Sequence, residues 1–155
     1  MIWIKKFLGT DGSLWFTLPV RLALGLVFIG HGGQKMFGWF GGGGFSGVVK
    51  MMEKLQFSPT VFWAAMAAGG EFFGGVLVLI GLGTRFGALS IAIAMAIAVL
   101  KVHNTAFFLT KNGMEFALTL LLAAIALLIS GGGALSLDAL FFGKHKKPEF
   151  PGMVK

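Results

Sequence analysis

Five ionisable side chains stand within or at the edges of long apolar runs: His31, Lys35, Glu71, His103 and Glu115, with Gln34 and Asn104 beside them. Imidazole titrates near neutrality and a desolvated carboxyl is pushed towards it, so two His and two Glu can hold and pass protons. The same groups are acceptable ligands for Zn²⁺ or Fe²⁺, although their spacing forms no local metal motif. An ionisable group placed in hydrocarbon costs at least about 2.5–3.5 kcal/mol, so each needs a partner and is a functional candidate by default. A purely structural reading makes Lys35–Glu71 a buried ion pair that sets helix register and His103–Glu115 an interfacial hydrogen bond. Two His and two Glu in so short a chain are more than packing requires, which favours function for the set.

The runs that hold these groups set the class of protein. Of 155 residues, 56% are hydrophobic and only 12% charged, against about 25% charged in soluble domains. Mean hydropathy is +0.86. A soluble chain of this size would have too few ionic groups to cover its surface, so the apolar excess must face a lipid bilayer. No cysteine is present, which removes disulfides, thiolate catalysis and iron–sulfur ligation. The net charge of +7 sits at the edges of apolar runs, where anionic headgroups attract it. No basic stretch interleaves with aromatics, so no nucleic-acid partner is expected.

A helical span needs about 20 mostly apolar residues. Four stretches meet this, at about 18–37, 59–82, 85–102 and 114–130. Ser58-Pro59 offers an N-cap followed by proline at the first helical position. Gly81-Leu82-Gly83-Thr84 reads as a tight turn between the second and third helices, and Gly131-Gly132-Gly133 ends the fourth. Residues 46–56 place Val48, Val49, Met52 and Leu55 near one side and Lys50, Glu53 and Lys54 on the other, which predicts a short helix lying on the outer membrane face. The fold class expected is all-α: an integral membrane four-helix bundle with a short interfacial helix in its first outer loop. Residues 1–143 form its single domain, and 144–155 a basic cytoplasmic tail anchored at lipid headgroups. The N-terminal segment is expected to be retained instead of cleaved as a signal, because Asp11 follows Lys5 and Lys6 and no small-residue cleavage site closes a short apolar core. Eight of the thirteen Lys and Arg fall on the side that holds both termini, so the positive-inside rule puts both termini in the cytoplasm. Arg21 and Arg85, near that boundary, are expected to snorkel to the headgroups.

Helical geometry predicts where the polar groups meet. His31 lies ten residues beyond Arg21, about 15 Å at the rise of a helix, and Glu71 is about 18 Å from Pro59, so both fall near the midplane. His31, Gln34 and Lys35 project together at i, i+3 and i+4. The same spacing around Glu71 picks out Ala67, Ala68, Gly74 and Gly75, a small-residue stripe that admits a close neighbour helix. Ala88, Ala92 and Ala96 form a similar stripe leading to His103. On the fourth helix Glu115, Thr119, Leu122 and Ala126 fall roughly in line. The expectation is one pocket opening to the outer face.

The string His31-Gly32-Gly33-Gln34-Lys35-Met36-Phe37-Gly38-Trp39-Phe40-Gly41 resembles the first signature of the DoxX family of small bacterial membrane proteins. Glu71-Phe72-Phe73-Gly74-Gly75 and Gly81-Leu82-Gly83-Thr84-Arg85 are similar to its second segment. His103, Gly113-Met114-Glu115, Gly131-Gly132-Gly133 and Ser136-Leu137-Asp138 match the rest in order, with Ala106 and Phe116 as departures. The resemblance implies a four-helix protein of the bacterial inner membrane. It also implies kinship with the DoxD-type subunit of thiosulfate:quinone oxidoreductase and with oxidoreductase complexes. On that footing the first expectation is a quinone-handling membrane subunit, with His31, Glu71, His103 and Glu115 as proton-handling catalytic groups. Gln34, Lys35 and Asn104 would bind substrate, Lys35 favouring an anionic form. Electrons would come from the substrate or from a redox protein partner. Two alternatives stay open: a metal-ion or small-solute binding or transport protein, which at this length would act as a homo-oligomer, and a scaffold recruiting a soluble redox enzyme.

Overall fold

The computed structural model describes residues 9–143, and every regular element among them is helical. In chain order these are α1 (Thr17–Phe37), α2 (Gly44–Lys54), α3 (Thr60–Ile80), α4 (Thr84–Ile97), α5 (Glu115–Ser130) and α6 (Leu137–Phe142). A π-helical turn, Ala98–Val102, extends α4. The 144–155 tail and the lysines at positions 5 and 6 lie outside the described residues. The bounds of the four long helices fall within a few residues of the four apolar stretches of the sequence. α3 and the combined Thr84–Val102 helix are long and apolar enough to cross a membrane, at about 31 and 28 Å of helical rise. α5 is shorter, at 16 residues.

α1 packs on α3, α3 on α4 and α4 on α5, with a lighter contact between α1 and α5. One core collects Leu24 and Phe28 from α1, Val78 from α3, Ala88, Ile91 and Ala92 from α4, and Ala124 and Leu127 from α5. The outward faces are also apolar: Leu26, Phe73, Ile93, Leu122 and Ile129 are all exposed. A belt of this kind suits a hydrocarbon surround and would be an aggregation surface in water.

Several expectations give way here. On α5 the buried stripe is Ala117, Ala124 and Leu127, while Thr119, Leu122 and Ala126 face outward. Ala124 and Leu127 pack against Ala88, Ile91 and Ala92 of α4, which turns the opposite face of α5 outward. The short helix after the first span is present, but its apolar side is covered by the chain itself: Val48 and Met52 pack with Ala64 and Ala68 of α3. α3 begins at Thr60 after a cis Ser58–Pro59 bond, with no side-chain cap. The Gly81–Thr84 turn forms as expected. Gly81 adopts φ 71, and a Cβ there would lie 2.7 Å from the Arg21 guanidinium, so only glycine fits.

Arg21 does not snorkel. It is 2% exposed and donates to five backbone carbonyls: Val78 and Leu79 at the end of α3, and Gly132, Ala134 and Leu135 beyond α5, at 3.0–3.2 Å. Helix C-termini leave carbonyls without intrahelical donors, and the planar guanidinium answers several at once. Asp138, 1% exposed, accepts from Gly83 N and Thr84 N at 2.7 and 2.8 Å and so caps α4. It also attracts Arg21 electrostatically. The unanticipated α6 carries Asp138, and Ser136 caps that helix by accepting from Ala139 N at 3.0 Å. Arg85 also turns to protein, donating to Ile129 O at 3.0 Å.

Arg21→Met takes the guanidinium donor from all five carbonyls and removes the positive charge that attracts Asp138. It should lower stability by about 3–5 kcal/mol, as breaking a buried charge network does. Arg21→Lys should recover only part, because a point charge cannot reach carbonyls on both segments. Thermal unfolding in detergent, followed by circular dichroism, measures both; an unchanged midpoint for Arg21→Met would refute the role.

Candidate functional site

The four long helices enclose a cavity of about 530 Å³, covered on one side by α2 and by Phe57 and Trp63. That size lies within the range of about 300–1,000 Å³ typical of ligand sites. Its polar lining consists of His31, Lys35, Glu71, Ser90 and His103. The remaining walls are almost wholly aliphatic, aromatic or thioether.

Lys35 and Glu71 form an ion pair through Nζ and Oε1. The Lys35 side chain is 28% exposed and that of Glu71 only 4%, so the carboxylate is the deeper partner. Its second oxygen, Oε2, is buried with no hydrogen-bond partner. The pair depends on how closely α1 and α3 approach. A Cβ on Gly32 would fall 2.5 Å from the Phe72 backbone, one on Gly25 would fall 2.6 Å from the Leu79 Cβ, and one on Gly75 would fall 2.8 Å from Ile29 N. Glycine therefore sits on both helices at the seam, where any side chain would wedge them apart. Beyond Lys35, Gly38 ends α1 in the left-handed conformation and turns Trp39 back over Gly33. Trp39, Phe37 and Phe72 then cluster at centroid separations of 5.3–5.8 Å, which fixes the residue next to Glu71.

His31 lies one helical turn before Lys35 and is exposed. It lines both the main cavity and a smaller groove shared with Gly30, Gln34 and Phe116. His103 reaches the cavity because the π turn adds a residue to the end of α4, its N–H bonding back to Ala98 O at 2.9 Å. Such turns recur at functional sites, where they re-aim a side chain. The His103 Nδ1 is 3.0 Å from Asn112 O. A carbonyl only accepts, so Nδ1 carries the hydrogen and a neutral ring presents Nε2 as an acceptor.

The remaining candidates lie elsewhere. Gln34 faces the smaller groove. Asn104 donates Nδ2 to Leu100 O at 3.1 Å, closing the end of the π turn. Glu115 opens α5 but is not part of the cavity lining, and His103 has Asn112 as its partner in place of Glu115. The expected convergence thus holds for His31, Lys35, Glu71 and His103 and does not extend to Gln34, Asn104 or Glu115.

Spacing along single helices did not identify Ser90, whose Oγ donates to Gly70 O at 2.9 Å. Nor did it identify Met51, Met52, Met66 and Met95, which read as lipid or core contacts but line the cavity. Thioether side chains are flexible and polarizable, so they form walls that adjust to a guest. Among the described residues, no three His, Asp or Glu side chains gather in a metal-binding arrangement.

Gly32→Ala should separate α1 from α3 at Phe72, loosening the Lys35–Glu71 pair next to it and costing about 1–3 kcal/mol. Gly30→Ala, with nothing within 4 Å of its Cβ, should be tolerated. Comparing the thermal midpoints of the two variants in detergent separates seam packing from a general glycine effect; equal losses would count against it.

Comparison with known proteins places this geometry in a lineage. The DoxX family model matches residues 16–104, which include all the polar residues of the cavity lining, His31, Lys35, Glu71, Ser90 and His103. A Bacillus subtilis (strain 168) protein named "Putative oxidoreductase CatD" is 34% identical over 131 residues, covering 84% of this chain and 90% of the relative. An uncharacterized Haemophilus influenzae protein is 30% identical over 138 residues, covering 84% of this chain and 93% of its own length. No solved structure matches significantly. With its apolar spans and outward apolar belt, this is a membrane protein, and it belongs to the DoxX family.

Proposed function

We propose that the chain is a multi-pass, four-helix protein of the bacterial inner membrane, and that its cavity binds a quinone as part of an oxidoreductase system. The observation that carries this reading is the lining of the cavity: a largely apolar chamber whose few polar groups include a buried, half-satisfied carboxylate paired with a lysine. A quinone needs an apolar slot for its ring and tail, with groups at its oxygens that donate and accept protons. When bound, it supplies an acceptor for two electrons and two protons.

The chain's own residues supply binding and proton handling. Met51, Met66, Met95 and Trp63 surround a ring and exclude water. Lys35 Nζ donates to a ligand oxygen and stabilises negative charge there. Glu71 Oε2, buried and without a hydrogen-bond partner, is the group that passes a proton to or from a ligand oxygen. His31, shared between the cavity and the outer groove, exchanges that proton with the exterior. The sequence contains neither cysteine nor tyrosine, so electrons come from a reduced substrate or a redox partner. The oxidoreductase name carried by the Bacillus subtilis relative accords with this reading.

In membranes where the complex is active, Glu71→Gln should slow quinone reduction about 10²-fold, the usual effect of removing a proton-transfer group. An unchanged rate would exclude the assignment. Topology is testable in a chain with no native cysteine background. Ser46→Cys and Lys111→Cys should react with a membrane-impermeant maleimide added to intact cells. Ser13→Cys and Leu140→Cys should react only after permeabilisation; the reverse pattern would invert the orientation.

A further inference from the structure

The hydrogens on several of the cavity's polar groups already have acceptors. Ser90 Oγ gives its hydrogen to Gly70 O, so only lone pairs remain on that oxygen. His103 gives its Nδ1 hydrogen to Asn112 O, which leaves Nε2 of a neutral ring as an acceptor. Glu71 receives Lys35 at Oε1 and keeps a second, buried oxygen with no donor. Either carboxylate oxygen can be offered by rotation about the last side-chain torsion, which is soft. Against these acceptors Lys35 stands as a donor, with further N–H groups beyond the one engaged by Glu71.

We infer that this cavity recognises a ligand hydroxyl, and that it therefore holds an aromatic diol of the hydroquinone class in preference to the corresponding oxidised quinone. The inference rests on the quinone-site reading above and specifies which redox form the site favours. A hydroxyl beside the Lys35–Glu71 pair accepts from Nζ through its oxygen and donates its hydrogen to the spare carboxylate oxygen. A quinone carbonyl can do only the first, and it brings its own lone pairs against a carboxylate oxygen that still has no donor. Ser90 Oγ and His103 Nε2 extend the same preference to a second hydroxyl. A site built to receive a donated hydrogen bond rejects an analogue that cannot donate, because its buried acceptors are left unpaired. A tenfold preference for the reduced form would raise the midpoint potential of the bound two-electron couple by about 30 mV. The site would thereby pull quinone towards reduction.

The test uses the full chain in lipid nanodiscs under anaerobic conditions, titrated calorimetrically with three probes. They are a short dimethoxy-methyl-hydroquinone, its quinone, and its dimethyl ether, which keeps the shape and cannot donate. The hydroquinone should bind about tenfold or more tightly than either of the others. The double variant Lys35→Met/Glu71→Leu removes both charges together, so no unpaired ion is left to disturb folding. It should shrink the hydroquinone preference at least about threefold, to what the acceptors of Ser90 and His103 still support. Equal affinity of the native protein for quinone and hydroquinone, or a preference undiminished in the double variant, overturns the inference while leaving a quinone site in place. Failure of all three probes to bind the native protein overturns the quinone reading itself.

Discussion

Charge buried in a chain this apolar must be answered from another segment, and the fold depends on meeting that requirement. Arg21 shows the structural form of the solution. A single guanidinium on α1 gathers carbonyls from the end of α3 and from the segment after α5, while Asp138 caps α4. Four chain segments are thereby tied at one end of the molecule through groups that hydrocarbon could not solvate. Helix-end carbonyls and amides that would otherwise face lipid become the glue between helices.

Lys35 and Glu71 meet the same requirement with a different outcome. Arg21 has its hydrogen-bonding capacity spread over a cage of fixed acceptors, whereas Glu71 has one oxygen engaged and one without a partner. Its surroundings are equally asymmetric. On the α1 side, Gly25, Gly32 and Gly75 and the aromatic cluster of Phe37, Trp39 and Phe72 leave almost no freedom. On the side facing α4 and α2, methionines line an open volume. A rigid wall presents the charged pair, and an adaptable one receives whatever approaches it. This combination of precise polar placement and compliant apolar lining is what a site for an amphipathic aromatic guest requires.

The tie at Arg21 and the pair at Lys35 also divide the work along α1. The first anchors the helix near its N-terminal end, about 21 Å of helical rise from Lys35. The second is then held in register by the glycine seam between α1 and α3. A change at either end should reach the other through that seam, since α1 and α3 share the most intimate packing in the molecule.

Much of this was legible in the order of residues. Apolar runs of sufficient length marked the four long helices, and Gly81 and Gly131 marked two of their ends, because hydropathy and glycine conformation act locally. Ionisable residues in those runs marked His31, Lys35, Glu71 and His103, because their cost in hydrocarbon does not depend on neighbours. What they touch was settled by tertiary structure alone. Arg21 was expected at the headgroups, yet it turned inward, because the carbonyls that bind it lie 57 or more positions away in sequence. Glu115 and Asn104 share the polarity of the cavity residues but not their location, since a π turn and the facing of α5 determine which side chains point inward. Sequence by itself determined which residues required partners; only the packing of distant helices, with glycine setting how closely they approach, decided which partners they found and where a cavity was left.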